Sequence, residues 1–205
     1  YLTKSAGGAI GLVVNLTNEA GRELRQTLWV TSGTAKGCKN YYEKDGVKNY
    51  LPGFNLANSL SLLTVGKEIS ELEPETKVVS VYSPEAKAEV PTKVDVLVDL
   101  LNQEVLVGLI KQTVDKTVKN DAGAYVPTGE TREENEVDKF FRARDRMTTS
   151  EIRGQASEAS FVDVWSDKWT DKVRNKATGG SGASGTAGAP KAAAAAKKPT
   201  TSLFA

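Results

Sequence analysis

The 205-residue chain contains no histidine, one cysteine (Cys38) and one methionine. Without histidine it cannot assemble a Ser-His-Asp or Cys-His catalytic arrangement, nor a structural zinc site of Cys and His ligands. A single cysteine cannot close a disulfide within the chain, which points to a reducing compartment. No apolar run reaches the ~18 residues that a membrane helix needs, and Tyr1 opens no charged-then-apolar signal pattern. The sequence starts without Met, so a preceding segment is expected. These absences predict a soluble intracellular protein with no membrane association, no metal site and no cofactor. The 39% hydrophobic and 26% charged residues are an ordinary globular balance and argue against wholesale disorder.

The net charge of +1 conceals an uneven distribution. Residues 177–205 carry Lys191, Lys197 and Lys198 and no acid, so this segment supplies +3 and leaves residues 1–176 at −2. Between Arg22 and Lys48 six basic residues face three acids, whereas Lys67 to Glu104 holds four lysines and nine acids. A basic footprint for nucleic acid is therefore a local stripe here. The plain alternative is that the pattern serves solubility.

From 177 onward the composition turns to Gly, Ser, Ala, Thr, Pro and Lys. Such a segment cannot bury enough apolar area to offset its ordering entropy, which predicts a flexible tail over 177–205. Leu203 and Phe204 near its end have no core to join and are candidate anchors for another protein. Gly180-Ser-Gly182-Ala-Ser-Gly185 matches G-x-G-x-x-G by letter, but that motif holds a pyrophosphate only between a strand and a helix. Both flanks here are low-complexity. Gly66-Lys67 is followed by Glu68, so it is no Walker loop.

The body reads mostly as strands. Ile10, Leu12, Val14 and Leu16 alternate as in a half-buried strand, and Asn18 to Gly21 supplies a turn. Leu24, Leu28 and Val30 face inward on the returning strand, with Gln26 as the exception. Its other face carries Glu23, Arg25, Thr27 and Trp29, which puts an indole on the wet side. Asp45-Gly46 signals a two-residue hairpin between Tyr41-Tyr42 and Tyr50. Leu56, Leu60 and Leu63 fall at helical spacing, with Asn55 as N-cap and Gly66 as the stop. A capping box is expected from Ser70 to Glu73. Strands are expected at 77–82, 93–101 and 104–118, the last two hinged on Asn102-Gln103. A turn follows at Asp121 to Gly123, then an acidic loop over 128–136 and a strand over 137–146. A final helix is expected over 158–176, its stripe of Phe161, Trp165, Trp169 and Val173 packing on the barrel or a second subunit.

Strands, one helix, then more antiparallel strands is the order of an OB-fold. The expected architecture is mainly β: an OB-like antiparallel barrel over 1–150 with a hairpin projecting at 40–51, a helical segment over 151–176, and the tail. Single-stranded nucleic acid requires cations along its phosphates and flat rings for its bases. Trp29, Tyr41, Tyr42 and Tyr50, interleaved with Arg25, Lys36, Lys39, Lys44 and Lys48, supply both. Arg142, Arg144 and Arg146 form a second basic cluster.

Several blocks of sequence point the same way. They are Leu28-Trp-Val-Thr-Ser-Gly33, Tyr50-Leu-Pro-Gly-Phe-Asn-Leu-Ala57 with Leu62-Leu63-Thr-Val-Gly-Lys67, and Pro91-Thr-Lys-Val94. Gln112-Thr-Val-Asp-Lys116, Pro127-Thr-Gly-Glu-Thr131 and Ser202-Leu-Phe204 complete the set. Together they resemble single-stranded-DNA-binding proteins of tailed bacteriophages. The resemblance implies an OB-like fold and non-enzymatic coating of single-stranded DNA during replication and recombination, in the cytoplasm of an infected bacterium. It also implies a tail similar in role to those by which bacterial single-strand-binding proteins recruit replication and recombination proteins, although this tail is basic where those are acidic.

Two other classes compete. One is an assembly or adaptor protein, forming a homo-oligomer through the aromatic hairpin and the final helix as its interfaces. The other is a metal-dependent nuclease built on Asp95, Asp99 and Glu104 with Lys111 on the next strand.

Overall fold

The computed structural model describes residues 1–83, 85–121 and 125–178. β1 (Leu2–Lys4), β2 (Ile10–Thr17) and β3 (Glu23–Trp29) form an antiparallel sheet in that order. Alternation assigns Leu12, Val14, Leu24 and Leu28 to one face, and this face packs into the main core. α1 (Pro52–Thr64) lies against it and contributes Ala57, Leu60 and Leu63. The helix starts earlier than the expected Asn55 cap: Leu51 is the N-cap and Pro52 the first helical residue. Proline is preorganised there and forfeits only an N–H with no intrahelical partner. Gly66 does end the helix, at φ 75° and with its N–H on Ser61 O.

Two buried polar residues of α1 are satisfied by the chain that follows. Asn58 donates to the Glu68 carboxylate and accepts from Ile69 N at 2.9 Å, and Ser61 Oγ donates to Lys67 O at 2.7 Å. Buried polar groups need such partners. The capping box here joins Glu68 to Glu71, ahead of the expected Ser70–Glu73 position, because Pro74 already opens a strand.

β4 (Tyr41–Lys44) and β5 (Val47–Tyr50) form one two-stranded sheet, β6 (Pro74–Ser83) and β7 (Ala88–Leu97) another. β8 (Val105–Lys119) and β9 (Tyr125–Arg142) make a long antiparallel ribbon. The chain closes with α2 (Thr149–Arg153), α3 (Phe161–Trp169) and β10 (Val173–Asn175), which pairs parallel to β8. The protein is thus mainly β with chiefly antiparallel sheets. Among the described residues the four sheets do not join into a closed barrel.

Further expected elements differ, among them the strand expected over 137–146, which is the end of β9 and stops at Arg142. The strands at 93–101 and 104–118 are not a hairpin: a 3₁₀ turn over Val98–Leu100 and Asn102 at φ 56° redirect the chain, so β7 pairs with β6 and β8 with β9. The acidic stretch 128–136 is strand, not loop. It lacks apolar alternation, but Glu130 and Glu133 find Lys116 and Lys111 across the ladder at 2.8 and 2.5 Å, and cross-strand charge pairs support a sheet. The final helix ends at Trp169. Beyond it Asp171 is left-handed at φ 56°, and Arg174 is drawn to Glu136 and Asp138 on β9. Of the turn at Asp121 to Gly123, residues 122 and 123 lie outside the described residues.

The ribbon has a covered face on each side. Val137 and Phe140 join the main core. On the opposite side Gly108 is overlaid by Trp165, whose ring meets Phe141 edge-on at 5.9 Å and donates from Nε1 to Asp138 at 2.8 Å. Of the expected stripe, Trp165 and Phe161 meet Phe141 of the ribbon, whereas Val173 lies in β10 and is exposed. A Cβ at Gly108 would stand 2.9 Å from the indole, so glycine is what admits the ring.

Gln26, the polar exception on the inward face of β3, has a partner across the core. Its Oε1 accepts the N–H of Val137 at 2.8 Å, next to the register shift between Gly108 and Leu109. A bulge leaves a backbone donor outside the ladder, and the glutamine satisfies it. Replacing Gln26 with Met would leave that buried N–H unpaired, at a cost of about 1–3 kcal/mol. Urea unfolding of Gln26→Met should show a lowered midpoint with unchanged slope.

Glu151 joins α2 to α3. Its Oε2 accepts from Thr148 N and Oγ1 at 2.8 and 2.7 Å, and its Oε1 from Ser160 N and Phe161 N, both at 2.8 Å. Burial pushes its pKa up, but the donors from Thr148, Phe161 and Ser160 outweigh burial and hold it at about 2, against an ordinary 4.5. A depressed carboxylate pKa contributes stability that is whole above the unfolded value and lost as pH falls through the folded one. Stability should therefore decline from pH 4.5 towards 2, and Glu151→Gln should flatten that decline in acid titrations followed by circular dichroism.

Candidate nucleic-acid interface

The outer face of the first sheet is set by the same alternation that builds the core. Gly11, Val13, Arg25, Thr27 and Trp29 share it, and Tyr1 joins them by pairing with Val13 through Val13 N to Tyr1 O at 2.8 Å. Trp29 is 43% exposed. Its indole lies across Gly11, where a Cβ would stand 2.9 Å from Trp29 Cε3 and 2.7 Å from Thr27 Cγ2. An isolated glycine within a strand marks such a close approach. The Arg25 guanidinium sits 5.7 Å from the centre of the Tyr1 ring and also donates to its hydroxyl. The face thus carries two rings and one permanent cation.

The end of β3 leads directly into the hairpin. Ser32 N donates to Lys39 O at 2.7 Å, and Leu51 N to Asn40 O at 2.8 Å, so both hairpin strands are clasped at their base. Lys36 is exposed on the 3₁₀ turn Thr34–Lys36. Gly33 lies so close to Gly7 O that a Cβ would stand 2.5 Å from it, which lets this loop rest on the one before β2. At the hairpin turn Asp45 and Gly46 have φ of 54° and 75°, as a two-residue type I′ turn demands.

Strand alternation then divides the four aromatic residues. Tyr41 and Tyr50 are directly opposite and meet edge-on at 6.4 Å, and Tyr50 stacks on Phe54 at 5.3 Å. Lys39 and Lys48 hold their ammonium groups 5.4 and 4.9 Å from the centre of the Tyr41 ring. Tyr42, 47% exposed, is on the reverse face with Lys44. Tyr50 and Tyr41 are half-buried. The structure brings Lys39, Tyr41, Lys48 and Tyr50 together, puts Arg25 and Trp29 on the adjoining sheet, and separates Tyr42 and Lys44 from both.

The other candidates are dispersed or internally neutralised. Arg142 makes a two-pronged contact with Asp145, at 2.9 Å from Nε and 2.5 Å from Nη2. That hydrogen bond raises the arginine's pKa and lowers the aspartate's. Arg144 approaches the same carboxylate at 3.7 Å, and Arg146 pairs with Asp163 at 2.9 Å. Asp95 accepts from Thr76 Oγ1, Asp99 pairs with Lys67 at 3.4 Å and Lys111 with Glu133. Among the described residues no group of three or more Cys, Asp or Glu side chains is arranged to hold a metal ion, and no helix is long and apolar enough to cross a membrane. Leu203 and Phe204 lie outside the described residues, as does the tail from 179 on. Ala177 and Thr178 are described, and Thr178 N and Oγ1 both donate to Asp115, at 2.9 and 2.6 Å.

Set beside known protein families, curated proteins and solved structures, the chain matches none of them.

Sequence reasoning missed Tyr1, Gly11 and Phe54 as parts of this surface. Gly11 was detectable as a lone glycine in an alternating strand, whereas nothing local marks Tyr1. The division of the tyrosines separates two mutational outcomes. Tyr50→Ala removes both ring contacts at the hairpin base and should lower stability by about 1–3 kcal/mol. Tyr42→Ala should stay within about 0.5 kcal/mol of the parent in the same urea titration.

Proposed function

We propose that this chain binds single-stranded DNA without sequence preference, as a non-enzymatic protein that coats and protects it in phage replication and recombination. The observation that carries this reading is Trp29, a large ring 43% exposed on the outer face of a sheet and lying against Gly11, with Arg25 on the same face. A ring half open to solvent beside a guanidinium offers a base a stacking face next to a cation for its phosphate. Lys39 and Lys48 around Tyr41 add the second element, ammonium groups beside a ring. Bases stack on such rings whatever their sequence, and lysines track the phosphates. We read the first sheet and hairpin as the ligand side of an OB-like arrangement, whose strand-helix-strand order this chain follows.

Among the described residues the outer edges of β4 and β5 pair with no further strand, which favours one other reading, a hairpin that adds to a partner protein's sheet. Light scattering of the DNA-free protein addresses that alternative. For the main reading, titration of labelled oligo-dT at increasing salt should give falling affinity, with a slope of roughly −0.7 per phosphate contact. Trp29→Ala should weaken binding by about 1–3 kcal/mol with melting unchanged. Absence of binding at low salt would refute the proposal.

A further inference from the structure

We infer that the outer end of the β8–β9 ribbon is a second contact for single-stranded nucleic acid, made by Tyr125 and Lys119. This inference rests on the single-strand reading of the first hairpin and extends it to residues on a different sheet. Tyr125 is 73% exposed, more than any other aromatic residue described. It stands directly opposite Lys119 at the last pair of the ladder. Opposed residues in an antiparallel pair carry their Cβ atoms about 4.5–5.5 Å apart on one face, so ring and ammonium group are presented together.

The shaft of the ribbon does not share this character. Lys111 pairs with Glu133, Lys116 with Glu130 and Arg132 with Glu134, at 2.5, 2.8 and 2.9 Å. Among the described residues Lys119 forms no ion pair. Lys139, near the base of the ribbon, lies over the Phe161 ring, while the cations of the outer shaft are paired with carboxylates and Lys119 at the very end is not. The β6–β7 hairpin shows the contrast: Tyr82 is also exposed, but its opposite residue is Glu89, whose charge repels phosphate. Lys119 lies seven residues beyond Gln112, which is buried. At about 3.3 Å per residue this places the contact roughly 20 Å out from the covered part of the sheet. A strand touching both the ribbon end and the hairpin must be longer than one held by the hairpin alone.

The reverse face of the same end carries Val118 opposite Val126, both exposed, which would suit a second copy of the chain. The charged, aromatic face favours nucleic acid, and the experiment reads both. The full chain and Tyr125→Ala, Lys119→Ala and the double variant are titrated with oligo-dT of graded length, with light scattering of each protein alone. The expected result is unchanged affinity for the shortest oligonucleotide bound and a loss of roughly fivefold or more for long ones. The salt slope on long oligonucleotides should shrink by about 0.7 when Lys119 is removed. Tyr125→Phe and Lys119→Arg should retain the parent's behaviour, and both positions are exposed, so melting should not move. Equal affinity of all variants for long oligonucleotides overturns the inference while leaving the hairpin reading intact. A change in mass of the DNA-free protein without a change in DNA affinity also overturns it, in favour of contact between copies. Failure of the parent to bind any oligonucleotide removes both.

Discussion

Gln26 presents its side-chain carbonyl to the backbone N–H of Val137, 111 residues further along the chain, and the placement of the candidate surface depends on that bond. It lies where the first sheet meets β9 across the main core, at a point where the ladder of the ribbon shifts register. An amide–carbonyl bond of this kind contributes only about 0.5–1.5 kcal/mol net, but leaving a buried donor unpaired costs more. Its value is therefore positional: hydrophobic burial tolerates sliding, whereas a single donor and acceptor do not. With Leu12, Val14 and Leu28 committed to α1 and β9 on one side, period-two geometry leaves Arg25 and Trp29 on the other. A slip of one residue would exchange the two faces.

The aromatic residues are sorted in keeping with that constraint. Phe140 and Phe141 are buried on opposite faces of the ribbon, and Phe54 stacks beneath Tyr50. The tyrosines stand at strand ends, hairpin arms and ladder tips, where a hydroxyl stays hydrated while the ring remains available. Tyr41 and Tyr50 have a dual character, because the contacts that fix the hairpin base also place Lys39 and Lys48 about the outermost ring. Support and recognition are thus layered, with Phe54 and Tyr50 below and Tyr41 with its lysines above.

What could be read from the sequence follows the range of the forces involved. Local signals held where one short segment decides: the Asp45-Gly46 turn, the exposure of Trp29 and the stop at Gly66. The alternation from Ile10 to Leu16 held only in part, since Leu12 and Val14 are buried but so are Gly11 and Val13, and Ile10 is exposed. They failed where pairing across many residues decides. The 128–136 segment has no apolar rhythm, and its strand depends on lysines about 14–22 positions earlier. β10 exists because Arg174 reaches Glu136 and Asp138 on another strand, which no window around Val173 reveals. The candidate surface was legible as a composition but not as an arrangement. Interleaved rings and lysines are visible along 25–50, yet only the ladder register tells that Tyr42 faces away from Tyr41.

Charge pairing explains how a chain of net charge +1 can still present a cationic surface. At physiological salt, fields decay over about 8 Å, so a polyanion senses neighbouring groups and not the molecular total. Arg142, Arg146, Lys111 and Lys116 each have a carboxylate within 3 Å and contribute little field beyond their own pair. Such exposed pairs are worth only about 0–1 kcal/mol to the fold, so stability is a minor reason for their presence. Their larger effect is to silence the shaft of the ribbon and the segment after β9. Among the described residues Lys39 and Lys48 form no ion pair and rest on the Tyr41 ring, although Glu43 stands opposite Lys48 in the ladder. A ring's quadrupole attracts an ammonium group without cancelling its charge, so those lysines stay positive toward a phosphate while being held in position.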